Sequence, residues 1–380
     1  MRTAKMTNIT RTTWAAAATF ALVASSNGNP IVTPALAYYG GASAPTSAHM
    51  SAGMLLATAG TGVIAVAPPE GVRTPDNAAL IYVRYWQTVP GDFLREIRDA
   101  HKFDAAWEPD EALTAKLAAH QGLVAGVLRA ASIDKADWGV ELELGFDALL
   151  PHLAPVRQTQ SLLDADALRL LKSGDQMAAA ERLSAMFRIS DHTGRDVLIS
   201  SLVGAAMGKA ASQRVLELIE AGRVTPAMAK TILQGVRAID RDDLYNFREC
   251  LVIEEWMVAE HMATQFRGAD AGKKFAEMMR GFDENNAALD GLERLSEKEL
   301  AAELGKARGY YVRVREAWDG PDALKQLGEL ESMPKDALAR QFGRAIPALA
   351  ASFVKARRSY EDARDRLAAV EKALVELAAK

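Results

Sequence analysis

The chain has 380 residues, of which 49% are hydrophobic and 25% are charged, and this globular composition excludes wholesale disorder. Its 45 basic and 49 acidic side chains give a formal net charge of −4, so we expect no nucleic-acid partner. The single cysteine, Cys250, excludes an internal disulfide and a cysteine-based zinc site, and we expect it to be a small buried hydrophobe.

Residues 1–37 have the pattern of a signal peptide. Three basic and no acidic side chains precede or flank an apolar run over residues 14–24, which is too short to span a membrane. Small side chains at Ala35 and Ala37 fit a cleavage site, and a second candidate lies near Ser26. We therefore predict export to the periplasm or the medium, with a disordered alanine-rich tail as the alternative. Removal of these residues would change the formal net charge from −4 to −7.

Residues 38–75 are rich in glycine, alanine, serine, threonine and proline, which predicts a linker. The apolar stretch 54–67 is interrupted by Gly60 and Gly62 and is shorter than the roughly 20 residues of a transmembrane helix. We expect no transmembrane span here, and we expect residues 63–66 to dock on the main body. An uncleaved anchor is the alternative.

Residues 76–346 carry helical periodicity almost without a break, and strand patterns are nearly absent. Helix starts are marked by capping residues at Asn77 (or Asp76), Asp175 and Thr225. Another helix is predicted to start at Pro109, with Asp110 and Glu111 in its first turn. A helix is also predicted to run from residues 240–243 through residue 266. The predicted fold is all-α: an irregular array of antiparallel helical hairpins, with tetratricopeptide-like stacking but no strict repeat, ending in a long heptad-patterned helix.

That last helix, within residues 347–380, has apolar side chains spaced alternately three and four residues apart, as in a coiled-coil seam. The seam could pack on another helix of the same chain, such as residues 298–318, or on a second chain by self-association. The members of this possible interaction seam are Phe353, Ala356, Tyr360, Ala363, Leu367, Val370, Leu374 and Leu377.

Motifs for catalysis, cofactor binding and metal binding are absent from the sequence. Gly268 to Lys274 is one residue too short for a phosphate-binding loop, and no Gly-x-Ser-x-Gly sequence occurs. None of the six histidines has another histidine three or four residues away, so no helical zinc pair is possible. We predict no catalytic residue, no metal ligand and no cofactor.

Arg157 lies in an otherwise uncharged helix start, so we expect it to be partly buried. A buried guanidinium needs a carboxylate partner. We predict an ion pair with Glu254, or with Glu249 or Glu255, that specifies how helical hairpins stack.

Tyr82, Tyr85 and Trp86 form an aromatic cluster on the first helix. We interpret it as core, with a ligand-binding groove as the alternative. His152 follows Pro151 at a helix start, and we expect it to bond a neighbouring loop and not to act as a catalyst.

Four short motifs make residues 76–265 resemble a group of uncharacterised exported helical proteins of planctomycete-type bacteria. The motifs are Asn77-Ala78-Ala79-Leu80-x-Tyr82-x-x-x-Trp86, Asp137-Trp138-Gly139, Leu150-Pro151-His152-Leu153-x-x-x-Arg157 and Leu171-x-x-Gly174-Asp175. Ala136 stands where many members are expected to have cysteine. The resemblance implies an exported all-α protein and implies no activity.

These patterns favour a non-enzymatic exported scaffold that binds a protein or peptide along its stacked hairpins. The alternative is an enzyme whose carboxylate and histidine side chains converge only in the folded chain.

Overall fold

A computed structural model describes residues 76–104, 106–280, 289, 291–349 and 352–380. These residues form helices joined by turns, and no strand occurs among them. The α-helices are α1 (Ala78–Trp86), α2 (Phe93–Ala100), α3 (Glu111–Ala119), α4 (Gln121–Ala131), α5 (Leu153–Ser173), α6 (Gln176–Thr193), α7 (Leu198–Glu220), α8 (Pro226–Arg237), α9 (Phe247–Trp256), α10 (Met262–Gln265), α11 (Ala271–Arg280), α12 (Glu297–Asp319), α13 (Ala323–Glu331), α14 (Lys335–Phe342), α15 (Ile346–Leu349) and α16 (Phe353–Ala378).

Helix starts lie where capping at Asn77, Asp175 and Thr225 predicts them, whereas Asp110, expected in a first turn after Pro109, is itself the N-cap of α3. The side chains of Asn77, Asp110, Asp175 and Thr225 each accept a hydrogen bond from a first-turn backbone N–H. Such a bond satisfies one of the four donors that a helix N-terminus leaves open. Between α5 and α6, Gly174 ends the first helix at φ 87°, a conformation that strains other residues.

Helix α6 is at the centre of the molecule and packs against α5, α7 and α8. The connection of two residues between α5 and α6 makes this pair an antiparallel hairpin. Helix α8 approaches α6 so closely that a Cβ on Gly235 would overlap Ser184. Small residues therefore set the distance between these helices.

Helix α16 covers α7 and α8 with its heptad face. Leu367, Val370 and Leu374 are fully buried there, whereas Leu377 near the chain end is half-buried. The first turns of α16 contact α12, where Trp318 packs edge-on against Tyr360. Because this face is covered by helices of the same chain, it is not available to a second copy.

The helix predicted over residues 240–266 begins later than expected, whereas the backbone from Phe247 to Gln265 is helical throughout and includes one π-helical turn. Tyr245 and Asn246 have φ values of 55°, and α9 begins only after them. A π-helical turn, Met257–His261, separates α9 from α10, which ends at Gln265. The late start has a tertiary cause: the Tyr245 ring fills the space over Gly208 of α7, where any Cβ would overlap it.

The signal peptide at residues 1–37 and the linker at residues 38–75 lie outside the described residues. Tetratricopeptide-like stacking stays a prediction. Within the described ranges, every helix is either too short or too polar to cross a membrane.

Candidate functional site

The chain between α4 and α5 contains a segment with little regular structure, residues 137–150, which we call the connecting segment. Its only helical part is a 3-10 turn, Leu142–Asp147, bent at Gly145 with φ 56°. Leu142 and Leu150 pack with Val197, Ile199 and Met257 in a second small core, separate from the main one. The connecting segment therefore crosses the start of α7 and the π-helical turn.

Two side chains fasten the first residues of the connecting segment. The Asn77 amide donates to the Asp137 carbonyl at 2.8 Å, and its oxygen accepts from the Asp137 N–H at 2.9 Å. The Trp138 indole N–H donates to the His192 carbonyl at the end of α6, at 2.7 Å. Asn77 thus both caps α1 and holds a segment 60 residues further along the chain.

An aromatic stack lies beneath this segment. The Trp138 ring is nearly parallel to those of Tyr82, Trp86 and His152, at centroid distances of 5.8, 5.8 and 4.6 Å. The Trp86 indole also donates to the Thr159 hydroxyl at 2.8 Å. The aromatic cluster of α1 is therefore part of the core, joined by two rings that lie more than 50 residues away.

Two histidines at this site are neutral at pH 7. Burial lowers the pKa of His152 to about 4. Burial also lowers the pKa of His192 to about 3, and the charges of Arg188 and Arg195 act in the same direction. The Tyr82 hydroxyl lies 3.1 Å from His192 Nδ1, whereas His152 Nε2 has no hydrogen-bond partner among the described residues.

The pKa of Asp196, which lies just before α7, is raised, whereas the pKa values of the two histidines are lowered. Burial raises the pKa of Asp196 to about 6; Asp137 and Glu249 add to the rise, and Arg195 opposes it. Asp196 has a φ of 73°, and its Oδ2 atom is buried with no hydrogen-bond partner among the described residues. Strain, an open acceptor and a raised pKa mark this residue as a functional candidate.

Glu254 of α9 is half-buried near the start of α7. Burial raises its pKa to about 7, and a hydrogen bond from the Leu198 N–H opposes this rise. The carboxyl group therefore caps α7, whose N-cap residue Val197 cannot do so with its own side chain.

On its outer face the connecting segment exposes apolar side chains. Leu149 is 60% exposed and Leu144 is 43% exposed. The backbone beneath them is held, since the Gln265 side chain of α10 donates to the Glu143 carbonyl at 3.1 Å. Two leucines are thus displayed on a fastened, irregular segment.

The chemistry of this site is limited. No group of three histidine, cysteine or acidic side chains within the described ranges could hold a metal ion. Cys250 is buried, its Sγ accepts from the Ser201 hydroxyl at 3.0 Å, and burial raises the pKa of its thiol. A thiol of raised pKa is a poor nucleophile.

A separate open groove of about 370 Å³ lies between α12 and α13 and includes Arg313, Glu316 and Met333 in its lining. It is remote in sequence from the connecting segment. Its rim carries both signs of charge, so it favours no single class of ligand.

The structure does not bring Arg157 and Glu254 together. Arg157 is exposed at the helix surface and forms no ion pair with any described residue, although partial burial lowers the pKa of its guanidinium. The neighbouring carboxylate on α9, Glu255, pairs with Arg315 of α12 at 2.7 Å. The predicted hairpin-stacking ion pair is therefore not formed by these residues.

Other arginines take that structural role, and sequence reasoning missed them. Arg214 is 1% exposed, and its Nε donates to the two oxygens of fully buried Asp164 at 2.9 and 3.1 Å. The His101 Nε2–H donates to the same carboxylate at 2.6 Å. Further donation from Arg214 to the carbonyls of Lys102 and Asp104 fastens the loop after α2. We call Arg214, Asp164 and His101 the Arg214 centre.

Two similar contacts lie nearby. Arg182 donates to buried Asp166 at 3.0 Å, and Arg188 donates to the carbonyls of Ala131, Ile133 and Ala238. The signal in the sequence was present: Asp164 and Asp166 interrupt the otherwise apolar stretch of α5. Because buried carboxylates require cationic partners, Asp164 and Asp166 in this stretch predict buried arginine or histidine partners.

No protein-family model, curated protein or solved structure matches this chain. Its function is therefore argued from the geometry of the site.

Proposed function

We propose that the protein is an exported helical scaffold that binds a protein or peptide through the outer face of the connecting segment. The supporting observation is the exposure of Leu149 and Leu144 on a backbone that is fastened by Asn77, Trp138 and Gln265. Exposed apolar side chains on a preorganised backbone favour association, since little conformational freedom is lost on binding.

Binding is tested by a photoreactive amino acid placed at position 149 in cells that make the protein naturally. Met177, which is 46% exposed on α6, provides a matched control position. We expect a discrete crosslinked partner from position 149 and none from position 177. Irradiation that yields only the uncrosslinked protein from position 149 would overturn this proposal.

Export rests on the leader pattern of residues 1–37 and is tested separately. We expect the protein from the cell envelope or medium to begin after Ala37 or near Ser26 when its N-terminus is sequenced. A cytoplasmic protein that retains residues 1–37 would contradict export without affecting the binding proposal.

A second candidate is an enzyme that uses the Asp196 carboxyl as a general acid or base. It is favoured by the raised pKa, the open Oδ2 acceptor and the strained backbone of Asp196. Incubation with a metabolite extract, followed by mass spectrometry, tests it against the Asp196→Asn variant. The enzyme proposal requires a compound that the wild type consumes and this variant does not.

A further inference from the structure

The surface around the connecting segment carries carboxylates without cationic partners. Asp137, Glu141, Glu143 and Glu249 are exposed, and none of them forms an ion pair with a described residue. No lysine or arginine occurs between Lys135 and Arg157. Exposed carboxylates elsewhere are often paired, as Glu371 is with Arg237 and Arg241.

Glu141 and Glu143 precede exposed Leu144 in the connecting segment, and the other two carboxylates lie near the small core against which that segment packs. Leu142 and Leu150 pack with Ile253 and with Val197, the residue that follows Asp196. Glu249 precedes Ile253 by one turn of α9, so it lies beside the same small core. The charges of Asp137 and Glu249 both raise the pKa of Asp196, in agreement with the position of these two carboxylates near the start of α7.

Resting on the proposed function, we propose that the partner is a basic, apolar protein segment, whose apolar side chains contact Leu144 and Leu149 and whose lysine or arginine side chains face Glu141, Glu143 and Glu249. An acidic segment would be repelled, and a neutral one would leave the carboxylates unpaired beside a desolvated interface. Anionic nucleic acids and anionic membranes carry the same sign of charge as this surface.

Charge complementarity here has a measurable consequence. Individual exposed ion pairs contribute little, but several carboxylates around one apolar contact act together. Association should therefore weaken as salt rises from about 0.02 M to about 0.5 M, because the Debye length falls from roughly 20 Å to below 5 Å.

The test uses three fluorescent peptides with the same spacing of leucines, carrying lysine, serine or glutamate at all other positions. Fluorescence anisotropy measures their binding to the full chain. We expect the lysine peptide to bind about 10-fold more tightly than the serine peptide at low salt and to lose that advantage at high salt. The glutamate peptide should bind most weakly.

Matched charge variants test whether the preference for the lysine peptide arises from the carboxylates of this surface. The triple variant Glu141→Gln, Glu143→Gln and Glu249→Gln should bind the lysine peptide about 10-fold more weakly. A control triple variant, Glu220→Gln, Glu277→Gln and Glu376→Gln, removes the same charge from exposed residues elsewhere and should bind it as the wild type does.

Equal binding of the lysine and serine peptides, or equal losses in the two triple variants, would overturn the basic character of the partner. The binding role of the connecting segment would then still stand if position 149 forms its crosslink. Failure of all three peptides to bind would also overturn this inference, and the crosslink would decide the proposed function independently.

Discussion

The Arg214 centre and the connecting segment bury polar groups in opposite ways. In the Arg214 centre, the side chains of Asp164, Arg214 and His101 are at most 2% exposed and are bonded to one another. At the connecting segment, His152 Nε2, Asp196 Oδ2 and Ser200 Oγ are buried without a hydrogen-bond partner among the described residues. The first arrangement satisfies its polar groups within the chain, and the second does not.

This difference suggests that the Arg214 centre serves the stability of the fold and the connecting segment serves function. A buried charge that finds its partner specifies how helices stack, because removal of either member leaves the other uncompensated. Buried polar atoms without partners destabilise a fold and are expected at sites that serve another purpose. His152 stacks on Trp138, and Asp196 precedes Val197, which packs against Leu142 and Leu150, so these open atoms lie near the connecting segment that exposes the two leucines.

The largest effect is expected for Arg214→Met, which leaves the fully buried Asp164 without its guanidinium partner. We expect the free energy of unfolding, measured with urea, to fall by about 3–5 kcal/mol. Arg237→Met is the control, because Arg237 is exposed in its pair with Glu371 and its loss should cost at most about 1 kcal/mol.

The double variant Arg214→Met with Asp164→Leu tests the cause of that loss. It removes both charges, so part of the lost free energy of unfolding should return. If Arg214→Met alone changed the free energy of unfolding by less than the control does, the Arg214 centre would not stabilise the fold.

The next largest effect is on the pH dependence of stability, which His152 beside the connecting segment influences. His152 has a folded-state pKa of about 4, below the ordinary value of 6.5, so acid protonates it first in the unfolded chain. Wild-type stability should therefore fall as the pH falls from 7 toward 4. In His152→Phe, which keeps a ring against Trp138, that fall should be about 2–3 kcal/mol smaller.

Above pH 8 both forms of His152 are neutral, so the difference in unfolding free energy between His152→Phe and wild type should be constant there. His192 remains in the variant and keeps part of the acid sensitivity. Identical pH profiles for the two proteins would show that His152 is not held neutral by the fold.

Substitution of Asp196 should change the free energy of unfolding by less, and it should raise stability near neutral pH. Its folded-state pKa is raised from 3.8 to about 6, so the ionised carboxylate destabilises the folded chain above pH 6. Asp196→Asn removes this charge and tolerates the left-handed backbone. We expect about 1–2 kcal/mol higher stability at pH 7.5, disappearing by pH 4.

Chemical unfolding at the two pH values measures this gain, with Asp270→Asn, an exposed carboxyl on a turn, as the control. The control should change little at either pH. A loss of stability at pH 7.5 in Asp196→Asn would mean that the carboxylate has a partner that stabilises it.

The smallest effect on stability is expected for Leu149→Ala. Leu149 is 60% exposed, so the free energy of unfolding should change by less than about 0.5 kcal/mol, while binding of the lysine peptide weakens. Leu367→Ala, in the fully buried seam of α16, should cost about 2–5 kcal/mol. Similar losses in the two variants would place Leu149 in the core and remove the proposed binding surface.

Helix starts could be predicted from the sequence because a capping bond joins residues two or three apart. Asn77, Asp175 and Thr225 all cap helices where the pattern placed them. The heptad spacing likewise predicted that Leu367 and Val370 share a buried face. It could not name their partners, because periodicity describes one helix and not the surface it meets.

The candidate site was only partly accessible to such reasoning. Tyr82 and Trp86 were interpreted as core from their helical spacing, but their stacking on Trp138 joins segments more than 50 residues apart. Arg157 was expected to be partly buried and ion-paired because its sequence neighbours are uncharged. Its exposure depends on which face of α5 the other helices cover, and no local pattern records that.

The sequence by itself determined the all-α class, the helix starts and the apolar faces, because these follow from hydrogen bonds and periodicity within short stretches. Only the tertiary structure decided that Arg214 meets Asp164, that α16 covers α7 and α8, and that a helix begins late because Tyr245 lies over Gly208. Those outcomes depend on contacts between residues distant in the chain, where the available space and the nearest opposite charge choose the partner.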